Sequence, residues 1–119
     1  MSNFQKQREV MVQRQLAARG IRDQRVLSAM RTVPREQFVS EALLEFAYED
    51  APLPIEESQT ISQPYIVAIM VEALELQPDD RVLEVGSGSG YASAVVSRIA
   101  GAVFGIEVHP VLNELARDR

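Results

Sequence analysis

From Phe4 to Arg19, apolar residues recur at 10, 11 (or 12) and 16 among glutamines and arginines, all good helix formers. The spacing predicts a helix, and Gly20 reads as its C-terminal stop. Asp23 is placed to cap a second, short helix over 24–31, with Val26, Leu27 and Met30 on one face and Pro34 beyond its end. Residues 37–44 read as a turn or two of helix. The segment 47–55 reads as irregular, because prolines at 52 and 54 keep any strand there short or at an edge. A longer helix is expected from Ser62 or Gln63 to about Leu76, with Pro64 in its first turn. Its apolar stripe is read as Ile66, Ile69, Met70, Ala73 and Leu74.

After a turn at 77–80 the period changes. Val82–Val85 is a short apolar strand that runs into glycines at 86, 88 and 90, and a helix-compatible run follows over 91–100. A second strand, Ala102–Ile106, ends in Glu107, and Val111–Arg119 is an amphipathic helix. Strand, glycine turn and helix together open a nucleotide-binding α/β unit, in which backbone N–H groups and the helix N-terminus face the ligand. Dinucleotide enzymes favour G-x-G-x-x-G. Here the pattern from Glu84 is E-x-G-x-G-x-G, which resembles motif I of the S-adenosylmethionine-dependent methyltransferases. Glu107, 17 residues after Gly90, is placed to accept hydrogen bonds from both ribose hydroxyls. A glycine-rich turn without a ligand, and a surface acid at a strand end, are the plainer readings of these two features.

The expected fold class is α/β: N-terminal helices followed by β-α-β-α. Residues 1–62 form a helical N-terminal region, and 63–119 begin the cofactor-binding α/β unit. Two parallel strands do not make a stable sheet, and a switch point needs a strand on the far side of the first. The sequence therefore reads as the front half of a nucleotide-binding domain belonging to a longer polypeptide. A homo-oligomer that completes the sheet between chains would serve too.

Composition narrows the classes. Apolar residues make up 46% of the 119 and charged residues 24%, as in a soluble globular protein. No apolar run approaches the roughly 20 residues needed to cross a bilayer, and the N-terminus lacks the apolar core of a signal peptide. The absence of cysteine fits a cytoplasmic protein, and a single histidine argues against a His-based catalytic or metal constellation. The charges are sorted. Residues 1–35 carry eight Lys or Arg against Glu9 and Asp23, a net of +6, whereas 36–57 carry seven acids and no base, a net of −7. The basic arm has no aromatic cluster to stack bases, so a solvated helix face paired partly with the acidic block is expected, not a nucleic-acid partner.

Four motifs in order, "SAMRTVPREQFV" (28–39), "AYEDAPLPI" (47–55), "QTISQPYIVAIM" (59–70) and "VLEVGSGSGY" (82–91), resemble the protein-L-isoaspartate O-methyltransferase family. The resemblance implies a Rossmann-like S-adenosylmethionine-dependent methyltransferase fold, incomplete over these residues. It implies transfer of a methyl group from S-adenosyl-L-methionine to the α-carboxyl of L-isoaspartyl residues in damaged proteins. The ester then collapses to a succinimide that reopens partly to aspartate, which repairs the protein. By the same resemblance Ser62 takes the place of the active-site serine, and Gln59, Thr60 and Ile61 line the cofactor and substrate cleft. Glu84, Gly86, Ser87, Gly88 and Gly90 match the cofactor loop, and Glu107 the ribose-binding acid. The family's later segments, which supply the adenine-side Asp-Gly, the central strands and part of the peptide cleft, have no counterpart in these 119 residues.

The chemistry agrees with this composition. A carboxylic acid with a pKa of about 4 is ionised at pH 7, so no general base has to be found. What is needed is an in-line approach to the sulfonium methyl at roughly 3 Å with water excluded. Ser62 would donate to the substrate carboxylate as a positioner, since no base stands near it in sequence to make it a nucleophile. Read locally, Ser62 suits the N-cap of the following helix, and both roles can coexist. His109 is read as a helix-start residue without a catalytic role, and no metal is expected. Two other readings stand beside this one: a cofactor-binding or interaction module without catalysis, and a nicotinamide-dependent oxidoreductase, which the glycine spacing disfavours.

Overall fold

The first apolar stripe forms the first helix. In the computed structural model, which describes residues 3–55, 59–86 and 88–106, helix α1 spans Asn3–Met11. It runs on through a π-helical turn, Val12–Leu16, and a 3-10 turn, Ala17–Arg19. Met11, Val12 and Leu16 are buried, whereas Val10 is exposed. Gly20 ends the run at φ 102°. Its N–H bonds to the Ala17 carbonyl and that of Ile21 to the Leu16 carbonyl, both at 3.1 Å. This is the Schellman pairing, closed by the burial of Leu16 and Ile21.

Helix α2 spans Gln24–Thr32, and the Asp23 carboxylate caps it by accepting from the Arg25 N–H at 2.9 Å. Val33 turns extended ahead of Pro34, as a residue before proline must. Two 3-10 turns follow, Arg35–Phe38 and Glu41–Phe46. Strands β1 (Leu53–Pro54) and β2 (Thr60–Ile61) then pair antiparallel, with Leu53 opposite Ile61 and Pro54 opposite Thr60. The prolines hold this ladder to two residues.

Helix α3 spans Pro64–Ala73, shorter than the expected run to Leu76, and Glu75 at φ 51° marks its end. Ser62 is not its cap. The helix starts from Gln63, whose carbonyl accepts from the Val67 N–H at 3.2 Å, and no side chain caps it. The expected stripe is also the wrong face. Pro64, Val67, Ala68 and Val71 are buried, while Ile66, Ile69, Met70, Ala73 and Leu74 are exposed. A helix apolar all round satisfies helical spacing on two faces at once. Which face packs is decided by α2 and the π-helical turn, against which α3 lies.

Strand β3 (Arg81–Val85), helix α4 (Tyr91–Ser97) and strand β4 (Ala102–Ile106) form the β-α-β unit. The strands are parallel and in register from Arg81 opposite Ala102 to Val85 opposite Ile106. Helix α4 packs on α2 and on β4, and its Tyr91, Val95 and Val96 join Val26 and Met30 in one core. Side chains of this kind contribute roughly 1.5–3 kcal/mol each when fully buried. Among the described residues two ion pairs join the basic helix to the acidic block, Arg8 with Glu36 at 3.3 Å and Arg19 with Asp50. This is the pairing expected from the charge pattern. Tyr48 draws the first pair together, accepting from Arg8 Nε at 2.8 Å and donating to Glu36. The helix expected over 111–119 lies outside the described residues.

Candidate functional site

The carboxyl end of β3 is where the backbone changes hand. Gly86, Gly88 and Gly90 have φ of 76°, 57° and 90°, all in the left-handed region. A Cβ at Gly86 would meet nothing within 4 Å, and one at Gly88 would meet only Ile55 Cδ1 at 3.9 Å. Positive φ, not crowding, is therefore what requires glycine at 86 and 88. The Gly86 N–H still bonds to the Ile106 carbonyl at 2.6 Å, so the ladder holds the start of the turn. At its far side the Ser89 hydroxyl accepts from the Tyr91 N–H at 3.2 Å, and the Gly90 carbonyl accepts from the Ala94 N–H at 2.9 Å. Both ends of the loop are thus fixed.

A cavity of 420 Å³ opens beside this turn. Glu84, Gly86, Gly88, Ser89 and Ser93 form one side, Thr60, Ile61 and Ser62 another, and Met70, Val71 and Leu74 of α3 a third. Six of the residues expected at the site, Thr60, Ile61, Ser62, Glu84, Gly86 and Gly88, therefore share one cavity. Gln59 and Gly90 do not line it. Gln59 precedes β2, where its carbonyl accepts from the Ile55 N–H at 2.8 Å, and Gly90 is the buried N-cap of α4. Ser87, Glu107 and His109 lie outside the described residues.

Two polar groups, one in the wall and one behind it, escaped sequence reasoning. Ser93, on α4, donates to Glu84 Oε1 at 2.5 Å and so aims the carboxylate along the cavity wall. Arg35 is fully buried; its Nε donates to the Ala47 carbonyl at 2.7 Å and its Nη2 to the Ser62 carbonyl at 2.9 Å. The guanidinium carbon sits 4.8 Å from the centroid of the Tyr91 ring. Burial lowers the Arg35 pKa from its ordinary value, opposed by Tyr91, and burial raises that of Tyr91. Hydrogen bonds to charged groups contribute about 1.5–3 kcal/mol, and a cation over a desolvated ring about 2, which offsets the cost of taking the charge out of water. The only sequence signal for Arg35 was its place beside Pro34 in the first family-like motif; Ser93 had none.

The arrangement has the size of a small-molecule site and places a carboxylate, a serine and bare backbone around one space. The family model described as protein-L-isoaspartate(D-aspartate) O-methyltransferase matches residues 5–119. A protein-L-isoaspartate O-methyltransferase of Pelobacter propionicus is 60% identical over 117 residues, covering 98% of this chain and 51% of the relative. One from Methylorubrum extorquens is 64% identical over 109 residues, covering 92% and 48%. The chain thus spans about half the length of these curated relatives. A solved protein-L-isoaspartate O-methyltransferase superposes with a TM-score of 0.82 at 34% identity, over 93% of this chain and 37% of the other. A Plasmodium falciparum protein assigned the same activity, solved in complex with S-adenosyl-L-homocysteine, gives 0.77 at 28% identity, over 99% and 55%. Sequence and fold together place this chain in the protein-L-isoaspartate O-methyltransferase family.

Proposed function

We propose that the protein transfers a methyl group from S-adenosyl-L-methionine to the α-carboxyl of L-isoaspartyl residues in damaged proteins and peptides. The observation that carries this reading is the shared cavity, lined by Thr60, Ile61 and Ser62 together with Glu84 and the glycine turn. Family membership supplies the reaction class.

The residues present fit the cofactor. A turn with three positive-φ glycines leaves main chain without side-chain cover at the end of β3, and the Glu84 carboxylate, held by Ser93, supplies an acceptor beside it. When bound, the cofactor supplies an electrophilic methyl on a sulfonium. Gly86 and Gly88 let the ligand approach the main chain, and Met70, Val71 and Leu74 of α3 give the cavity an apolar wall. Ser62 is exposed in the lining of the same cavity and offers its hydroxyl to the substrate carboxylate. That carboxylate is ionised near neutral pH and needs orientation, not deprotonation.

The test is methyl transfer from labelled S-adenosylmethionine to an isoaspartyl peptide, with the matching aspartyl peptide as control. Selective labelling is expected. Removing one hydrogen bond to a charged group is worth about 1.5–3 kcal/mol, so Ser62→Ala should lower kcat/KM by roughly 10- to 100-fold. Affinity for S-adenosylhomocysteine should stay within about twofold. Equal labelling of both peptides, or an unchanged rate in Ser62→Ala, would sink the reading. Binding of S-adenosylhomocysteine without any transfer would favour a cofactor-binding module instead.

A further inference from the structure

Arg35 brings a positive charge into the interior, and among the described residues no carboxylate pairs with it. Among the described residues its Nη1 meets no hydrogen-bond acceptor. A residue kept only to fill this space would more cheaply be apolar, because a buried guanidinium must be stabilised atom by atom. What the planar fork does accomplish is a connection. Nε holds the carbonyl of Ala47, Nη2 holds that of Ser62, and the guanidinium carbon lies over the ring of Tyr91, the first residue of α4. Three segments distant in sequence are set at fixed spacing by one rigid group. Two of them flank the cavity: the strand carrying Thr60 and Ile61 with Ser62 beyond it, and the helix that follows the glycine turn.

We propose that Arg35 is a positioning residue, whose guanidinium fixes the main chain at Ser62 relative to the glycine turn and so sets where the Ser62 hydroxyl meets substrate. The proposal rests on the methyl-transfer reading above. Arg35 touches neither substrate nor cofactor. It acts through the Ser62 carbonyl on one side and the Tyr91 ring on the other. Lysine cannot replace it, since a single ammonium on a flexible stem does not reproduce a planar fork between two carbonyls.

The experiment compares the wild-type protein with Arg35→Lys and Arg35→Met. The first readout is kcat and KM for isoaspartyl peptide and for S-adenosylmethionine. The second is amide exchange at residues 60–63 and in α2. In Arg35→Lys, kcat is expected to fall at least tenfold, with the cofactor KM within twofold. Exchange at 60–63 should quicken at least tenfold while α2 stays protected. Arg35→Met should behave alike, so that keeping the charge rescues nothing. A folded Arg35→Lys with kcat within twofold of wild type overturns the proposal. So does exchange that quickens equally everywhere, which would mark a purely structural role.

If wild type transfers no methyl group, the methyl-transfer reading has failed, and exchange at 60–63 decides the positioning of Ser62 without it. Should neither variant fold, the wild-type protein decides. The Arg35 Nε–H resonance shifts when isoaspartyl peptide and S-adenosylhomocysteine are added together if the fork is coupled to the site. A resonance that stays in place overturns the coupling.

Discussion

Asp50 accepts hydrogen bonds from Arg19 and, at 2.6 Å, from Gln63, the residue after Ser62. Arg19 also lies over the Tyr65 ring, at 5.6 Å from its centroid. The hydrogen bond from Arg19, then that from Gln63, lower the Asp50 pKa below its ordinary 3.8. A carboxyl held lower in the folded state than in the unfolded chain adds stability above the unfolded pKa, and that stability is lost as pH falls through the folded value. The melting temperature of wild type should therefore exceed that of Asp50→Asn at pH 7. The gap should narrow below about pH 3.8 and close once the folded carboxyl is protonated, as thermal melts across pH would show. The group is exposed, so salt should shrink the gap too. Asp50 could not be singled out in the sequence, because its partners lie 31 and 13 residues away. Arg35 was hidden for the same reason, its two carbonyls being 12 and 27 residues distant. Glu84, Gly86 and Gly88 could be brought to one turn because the glycine motif is local, whereas Ser62 was placed by the family resemblance and its local reading as a helix cap failed.

Caps and stops were the most legible features of the elements, since they depend on neighbours within a few residues. Asp23 caps α2 through an N–H two residues on, and Gly20 closes the first helical run by its own φ. Gly20→Ala tests the latter cleanly. A Cβ there would meet nothing within 4 Å, so the whole cost is conformational. Holding an L-residue in the left-handed region costs roughly 1–2 kcal/mol, and urea denaturation should register that loss with an unchanged m-value. The face of α3 was not legible. Ile66, Ile69, Met70 and Val67, Ala68, Val71 each follow helical spacing, and only the neighbours choose between them. One neighbour's grip is visible: the Glu72 carboxylate accepts from the N–H groups of Arg22 and Asp23 at 2.8 and 2.9 Å, tying α3 to the start of α2. That contact spans about 50 residues and leaves no local trace in the sequence.

The rejected face of α3 continues into the sheet. Leu83, Val85, Phe104 and Ile106 stand on the same side of β3 and β4, each at least half exposed, and Met70 and Leu74 border the same cavity as Leu83 and Val85. Among the described residues β3 pairs only with β4, so its other edge is open. Parallel sheets are stable when both faces are covered, and a contiguous apolar surface beside an unpaired strand edge favours association. These 119 residues by themselves are therefore expected to self-associate through this face. Sedimentation velocity should give a weight-average mass that climbs above 13.3 kDa with concentration. Placing charges there, as Leu83→Lys with Phe104→Glu, should return the mass to the monomer value. The circular dichroism should not change, because neither side chain belongs to the buried core. If wild type stays monomeric at every concentration, completion of the sheet between copies is refuted. If the double variant associates as strongly as wild type, the contact lies elsewhere on the molecule. Either result bears on the candidate site, because Leu83, Val85, Met70 and Leu74 line the cavity that also holds Ser62 and Glu84. Whatever covers them also closes the site to water.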